Sequence, residues 1–425
     1  FFVKKIIYAL LLIAITTIIV MNYKNVPEYI PNRDYINLEN EILEAFILAK
    51  DSSTIQLPEG HFLFSQSLSL DDKKNLTIKG KGMDKTVLSF KGQQQGAEGI
   101  KITNSQNIIL EDFSIEDAAG DNLKISDTDT IILRRIRTAW TGEVSTKNGA
   151  YGIYPVLSTH VLIEECEAIG ASDAGIYVGQ SKNVIMRNNK AFYNVAGIES
   201  ENSSQVEIYN NEAFNNTSGL LIFNLPGLTV YGGNVKAYNN NIHDNNLNNF
   251  GVKGSIVSAV PKGTGVIIMA TQDVDFFQNS IANHKTTNLA VVSYEIFAAD
   301  QDLEASGLSD SSESQGIRTI NSDYKKNQNY NPYPGRIYVR DNSFENKHYL
   351  PTLSNDFGKL WLFKNGGSIP DIAYDGILPN GAKLSDPDFK ICIRDNNEAS
   401  FAYLDASNEF DGFSNDLNPF NCIIR

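Results

Sequence analysis

The chain has 425 residues with 42% hydrophobic and 10% aromatic content, enough for a sizeable core and incompatible with global disorder. Its 36 basic and 50 acidic residues give a net charge of −14, which excludes nucleic acid as an expected partner, because no basic excess is available to displace counterions from phosphates. Three cysteines exclude a disulfide scaffold and the multi-cysteine zinc and iron–sulfur patterns.

Taken in chain order, Lys4 and Lys5 precede an uncharged run from Ile6 to Met21. Such a run suits the apolar region of a signal peptide and falls short of the ~20 residues of a membrane-spanning helix. Residues 1–21 are therefore expected to be a signal peptide or, if uncleaved, an N-terminal anchor, which would be the only part of the chain to meet a membrane. The expected location is periplasmic, cell-surface or secreted. Residues 22–51 read as a linker and a capping helix, with Leu38, Ile42, Leu43, Phe46 and Ile47 on one face of the stretch from Leu38 to Lys50.

A repeat of about 22 residues follows. Glycine and an aliphatic residue recur as Gly152-Ile153, Gly175-Ile176, Gly197-Ile198 and Gly219-Leu220, with steps of 23, 22 and 22. Each unit adds a second short strand, such as Val184-Ile185-Met186, then an Asn-rich corner and a third short stretch. Three short strands per unit cannot bury a face alone, but stacked units can, so the chain reads as a parallel β-helix over residues 52–300. The 18 asparagines among the 67 residues from Asn183 to Asn249 support this, since asparagine tolerates left-handed corners and its amides can bond from coil to coil. Between Gly219 and Gly265 the spacing doubles, which reads as one coil with two loops, near 225–233 and 247–263, with two irregular full coils as the alternative. Residues 301–335, rich in Ser, Asp and Asn, read as a loop or linker. Residues 336–425 read as terminal coils and a C-terminal cap, where Cys392 and Cys422 are placed to pair in an oxidising compartment, leaving Cys166 buried.

The segments Gly149 to Val156, Gly170 to Ser181 and Asn194 to Glu199 resemble the right-handed parallel β-helix proteins of the pectate-lyase-like superfamily, and more narrowly the exported parallel β-helix repeat-containing proteins. The wider superfamily implies work on carbohydrates as lyases, hydrolases, uronate epimerases or sugar-binding surfaces. The Asp-Pro-His-Asp of mannuronan epimerases is absent, as are the Gly-His-Gly and Asn-Thr-Asp of polygalacturonases.

Side chains alternate along a strand, so the aliphatics one and three residues after each glycine point inward and the positions between them outward. Two residues after it, with Asn122 standing for the glycine 23 residues after Gly99, the outward row reads Lys101, Lys124, Tyr154, Tyr177, Glu199, Leu221, Ile267; four after it, Thr103, Ser126, Val156, Gly179, Glu201, Phe223, Met269. Cations, tyrosines, carboxylates and an apolar floor thus follow one another on one sheet face, and the two loops flank that floor. The expected substrate-binding residues are Lys101, Leu221 and Phe223. The expected catalytic residues are Lys124, Tyr154, Tyr177, Glu199 and Glu201. β-Elimination or epimerisation of a uronate needs a neutralised carboxylate, a base and a proton donor, which Lys124, Tyr154 and Tyr177 can supply. Hydrolysis with inversion needs two carboxylates, for which Glu199 and Glu201 stand two residues apart. Asp173, Glu199 and Glu201 are alternatively oxygen ligands for Ca²⁺. Two expectations stand side by side: an exported enzyme that processes a polysaccharide, or a non-catalytic β-helix that binds an oligosaccharide or polysaccharide or another surface partner. The plainer reading of these lysines, tyrosines and glutamates is a solvated sheet face.

Overall fold

A computed structural model of the chain describes residues 28–298 and 322–423; the expected signal segment, 1–21, lies outside them. Among the described residues no helix is long and apolar enough to cross a membrane. The chain winds through short parallel strands, three per coil, joined by tight corners. Among the described residues, eleven parallel strands, from Gln66–Asp71 to Phe401–Tyr403, form the first sheet. A second sheet stacks strands such as Thr159–Glu164, Lys182–Arg187 and Ser204–Tyr209, and a third stacks Glu167–Ile169, Lys190–Phe192 and Glu212–Phe214. Two long strands, Gln106–Glu116 and Asp129–Ala139, bend through both of these sheets.

The inward residues form one continuous apolar column. Ile153, Ile176, Ile198, Leu220 and Val266 occupy equivalent positions on successive rungs, and all are buried. Hydrogen-bonded ladders hold the three corners. At one, the backbone N–H of Ser105, Thr128, Ser158 and Ser181 each donates to the side-chain oxygen of the corner residue one coil on. At the second, Asn189, Asn211, Asn240, Asn279, Asn342 and Asn396 link through Nδ2–H···Oδ1 bonds of 2.9–3.0 Å. At the third, Asn194, Asn216 and Asn245 do the same, and His284 takes the next place. The corner also explains the repeated glycine: a Cβ on Gly197 would lie 2.6 Å from the carbonyl oxygen of Gly219 and 2.9 Å from Asn216 Nδ2.

Between Gly219 and Gly265 there is a single coil, with strands at Ser218–Phe223, Gly233–Tyr238 and Asn241–His243, so the two loops fall where the spacing places them. The stacking continues beyond residue 335 through Gly335–Arg340, Ile372–Tyr374 and Phe401–Tyr403. The early helix spans Glu39–Ile47 and buries Ile42 and Phe46 against the first coil. Ile47 departs from the expected apolar face and is 74% exposed, because it falls at the end of the helix. Cys392 and Cys422 are joined by a disulfide, and Cys166 is a buried free thiol.

Candidate functional site

Strand register alone assembles the site. Lys101 pairs with Lys124 and Lys124 with Tyr154; further along the same row, Tyr177 pairs with Glu199, Glu199 with Leu221 and Leu221 with Ile267. The parallel row sets Gly179 beside Glu201 and Glu201 beside Phe223. These are the outward rows read from the glycine spacing. Their surroundings differ from a solvated face. Tyr177 is fully buried, Glu199 and Glu201 are 3% and 1% exposed, and Leu221 and Phe223 are 5% and 6% exposed.

The cover is a second apolar core built over the sheet. Leu225, Val257 and Val260 come from the two loops of the long coil, Tyr294 from the end of the rung at 287–292, and Tyr324 and Tyr330 from the segment that precedes the strand Gly335–Arg340. Hydrogen bonds pin it in place. Asn202 Nδ2 donates to the carbonyls of Leu225 and Val230 at 3.0 and 2.8 Å, and the Tyr330 hydroxyl donates to the Asn224 carbonyl at 2.9 Å. Beneath the cover lies a cavity of about 30 Å³, lined by Asp173, Glu199 and Glu201 on one side and by Leu221, Phe223, Val257, Val260, Ile267 and Met269 on the other. By the same measure a water occupies about 10–15 Å³, so the space holds two or three waters and no sugar ring. The two loops that flank the floor close it into a pocket, because they carry aliphatic side chains that pack down onto it.

Burial and mutual repulsion set the chemistry of the acids. The Glu199 carboxyl is pushed well above the ordinary carboxylate range, first by removal from water and then by the charges of Asp173 and Glu201. Tyr151 stands one residue before its glycine, where neighbouring coils carry Ala174 and Ala196. Its ring lies 4.5 Å from Tyr154 and 4.6 Å from Tyr177, centroid to centroid. Burial raises its phenol well above the ordinary tyrosine value, so the hydroxyl stays protonated. The visible signal for Tyr151 was a large aromatic at a position where other coils place alanine.

The cationic end is more open. Lys124 lies 5.0 Å over the Tyr154 ring, 3.9 Å from Glu98 and 4.0 Å from Asp121; Lys101 lies 3.7 Å from Glu98. Asp121 accepts the Tyr151 backbone N–H at 3.2 Å, and burial, opposed by Lys124, lifts its carboxyl to about 7. Among the described residues no group of three His, Cys, Asp or Glu side chains is placed to hold a metal ion. The wall facing Asp173, Glu199 and Glu201 is apolar and does not offer the six to eight oxygens that Ca²⁺ takes.

No curated protein matches the chain. Among solved structures it is similar to the A-modules of two mannuronan C-5 epimerases from Azotobacter vinelandii. The AlgE6 module is 16% identical, with a TM-score of 0.49 over 86% of this chain and 91% of that one. The AlgE4 module is 14% identical, with a TM-score of 0.48 over 85% and 95%. The polygalacturonase from Erwinia carotovora ssp. carotovora is 12% identical, with a TM-score of 0.41 over 63% and 94%. The model of the right-handed β-helix region matches residues 65–231 and 144–349, and with the stacked parallel coils described above this places the chain in the right-handed β-helix family.

Proposed function

We propose that the protein processes a polysaccharide by carboxylate acid–base chemistry on the outward face of the first sheet, with Glu199 as proton donor and Glu201 as its partner base. The observation that carries this reading is the pairing of Glu199, raised by burial toward its protonated form, with a second carboxylate two residues along the same strand face. Cleavage of a glycosidic bond needs such a division of labour: one carboxyl gives its proton to the leaving oxygen and the other activates water. Two residues of strand separate the Cα atoms by roughly 6.5–7 Å, at the lower edge of the roughly 6.5–9.5 Å carboxyl spacing of inverting enzymes. Asp173 adds the charge that keeps Glu199 protonated. Lys101 and Lys124 at the open end suit an acidic sugar, so the favoured substrate is a uronate-containing glycan.

With a cavity of about 30 Å³, substrate reaches Glu199 only when the cover of Leu225, Val257, Val260, Tyr324 and Tyr330 lifts. Removing water as it closes again would strengthen every electrostatic interaction inside.

The test is incubation with a panel of neutral and uronate polysaccharides, following new reducing ends and, in parallel, absorbance near 235 nm. New reducing ends without the absorbance change, lost in Glu199→Gln, are expected. A rise near 235 nm would replace hydrolysis by β-elimination, in which Lys124, Tyr154 and Tyr177 would carry the chemistry. No change with any glycan would overturn the enzymatic reading in favour of a binding protein.

A further inference from the structure

The first sheet's outward face is covered, whereas that of the second sheet holds an open groove of about 530 Å³. Two parallel rows bound it. One is aliphatic, with Ile132, Leu162 and Ile185 on successive rungs. The other is polar and uncharged at Asn183, Gln205 and Asn234. His160 belongs to the polar row. Its Nδ1–H donates to Asp129 at 2.7 Å and its Nε2 accepts from Asn183 Nδ2 at 3.1 Å, so the wall is partly ordered before anything binds.

The charge of the lining narrows the ligand. Its acidic and basic side chains, Glu207 and Lys236, are register partners on adjacent strands, and Glu207 also accepts the Tyr238 hydroxyl at 3.1 Å. In a chain of net charge −14 this strip is balanced, so it selects neither a polyanion nor a polycation. An added peptide strand needs a free sheet edge, and these strands are paired on both sides. In the aromatic stack beside the groove Tyr238 has no ring face left to offer, because Tyr209 covers it at 4.9 Å on one side and Phe277 at 5.0 Å on the other. What remains is a ligand with an apolar face for the aliphatic row, hydroxyls for the amides, which both donate and accept, and a repeat able to follow rungs about 4.8 Å apart.

We propose that this groove is a second, non-catalytic carbohydrate site that holds an extended neutral glycan along the coil axis. It stands independently of the role given to Glu199: either reading can fail without the other.

Titration calorimetry of the full-length protein with neutral hexasaccharides (β-1,4-glucan, β-1,4-xylan, β-1,4-mannan and α-1,4-glucan), with an oligogalacturonate for comparison, tests it. At least one neutral hexasaccharide is expected to bind more tightly than the oligogalacturonate. Ile185→Asp and the double variant Asn183→Ala/Gln205→Ala are each expected to weaken that binding at least tenfold; circular dichroism checks their folding, and Asn183→Ala alone is the milder substitute. The proposal is overturned if no neutral hexasaccharide binds at millimolar concentration, if the oligogalacturonate binds more tightly than all of them, or if binding persists in the folded variants. It is equally overturned if sedimentation shows a dimer that Ile185→Asp dissolves, since the groove would then be an interface between copies of this chain.

Discussion

Tyr177 and Glu199 are register partners on adjacent rungs of the first sheet, and both side chains are shut away from water. On an uncovered β-helix face these positions would be wet. Here a phenol and a carboxyl lie on neighbouring rungs beneath an apolar cover.

Glu199→Gln keeps the shape of the side chain and removes the proton that can be transferred. Loss of general-acid catalysis typically costs about 10²–10⁴-fold in rate, so kcat on the responsive glycan is expected to fall by at least about 100-fold with KM little changed. The sign of the stability effect is opposite. The folded state holds a proton on Glu199 at pH values where the unfolded carboxyl has lost it, so this residue's contribution to stability falls as pH rises above the ordinary carboxylate range. The variant is expected to lose that slope and to be relatively more stable than the parent at pH 8 than at pH 4, as read by urea midpoints.

His284 acts in the other direction. It is fully buried at the end of the third corner's ladder. Asn245 Nδ2 donates to its Nε2 at 3.1 Å, and its Nδ1–H donates to Asn288 Oδ1 at 2.7 Å. Burial holds its pKa down at about 4 against an ordinary 6.5. Its contribution is complete above pH 6.5 and is lost as pH falls toward 4, because the unfolded chain takes up the proton first. With about 1.4 kcal/mol per pKa unit, the full effect is on the order of 3 kcal/mol. His284→Asn continues the asparagine series and should flatten this acid limb in melting experiments between pH 7 and 4.

The second corner's ladder predicts a localised stability loss. Asn211 accepts both the backbone N–H and the Nδ2–H of Asn189 and donates to the Met186 carbonyl and Asn240 Oδ1. Asn211→Ala removes the acceptor of the Asn189 backbone N–H and Nδ2–H and the donor to the Met186 carbonyl, while Asn240 Oδ1 keeps the backbone N–H of residue 211; each buried group left unsatisfied costs about 1–3 kcal/mol. A drop of at least about 2 kcal/mol in unfolding free energy is expected, against under about 0.5 kcal/mol for Ala at the exposed Lys190.

Much of this arrangement was legible in the sequence. The glycine-to-aliphatic steps put Lys124 beside Tyr154 and Glu199 beside Leu221, because a fixed coil length leaves one register available. The asparagine excess pointed to corner ladders; the Ser105-to-Ser203 ladder escaped notice because serine and threonine are common at any turn. The closed state of the site was not legible. Tyr324 and Tyr330 sit in a stretch whose composition reads as linker, and nothing local in a sequence records that such a stretch packs over the outward face of a sheet formed by earlier coils. Tyr151 lies just before its glycine, outside the inward and outward alternation that runs forward from it.

Lys124 gives a specificity prediction. It lies at the more open end of the row, and its partner acids, Glu98 and Asp121, stand 3.9 and 4.0 Å away. Lys124→Ala is expected to raise KM for a uronate glycan about tenfold while leaving a neutral glycan within twofold, as measured by initial rates at low ionic strength.

Glu199, raised well above the ordinary carboxylate range by burial and by the charges of Asp173 and Glu201, is expected to carry a proton inside the covered pocket. Isotope-edited infrared spectroscopy of carboxyl-labelled glutamate, taken as the difference between the parent protein and Glu199→Gln at pH 7, reads this directly. A band from a protonated carboxyl that disappears in the variant is the predicted result. A difference spectrum showing only the loss of an ionised carboxylate would contradict it and remove Glu199 from the role of proton donor.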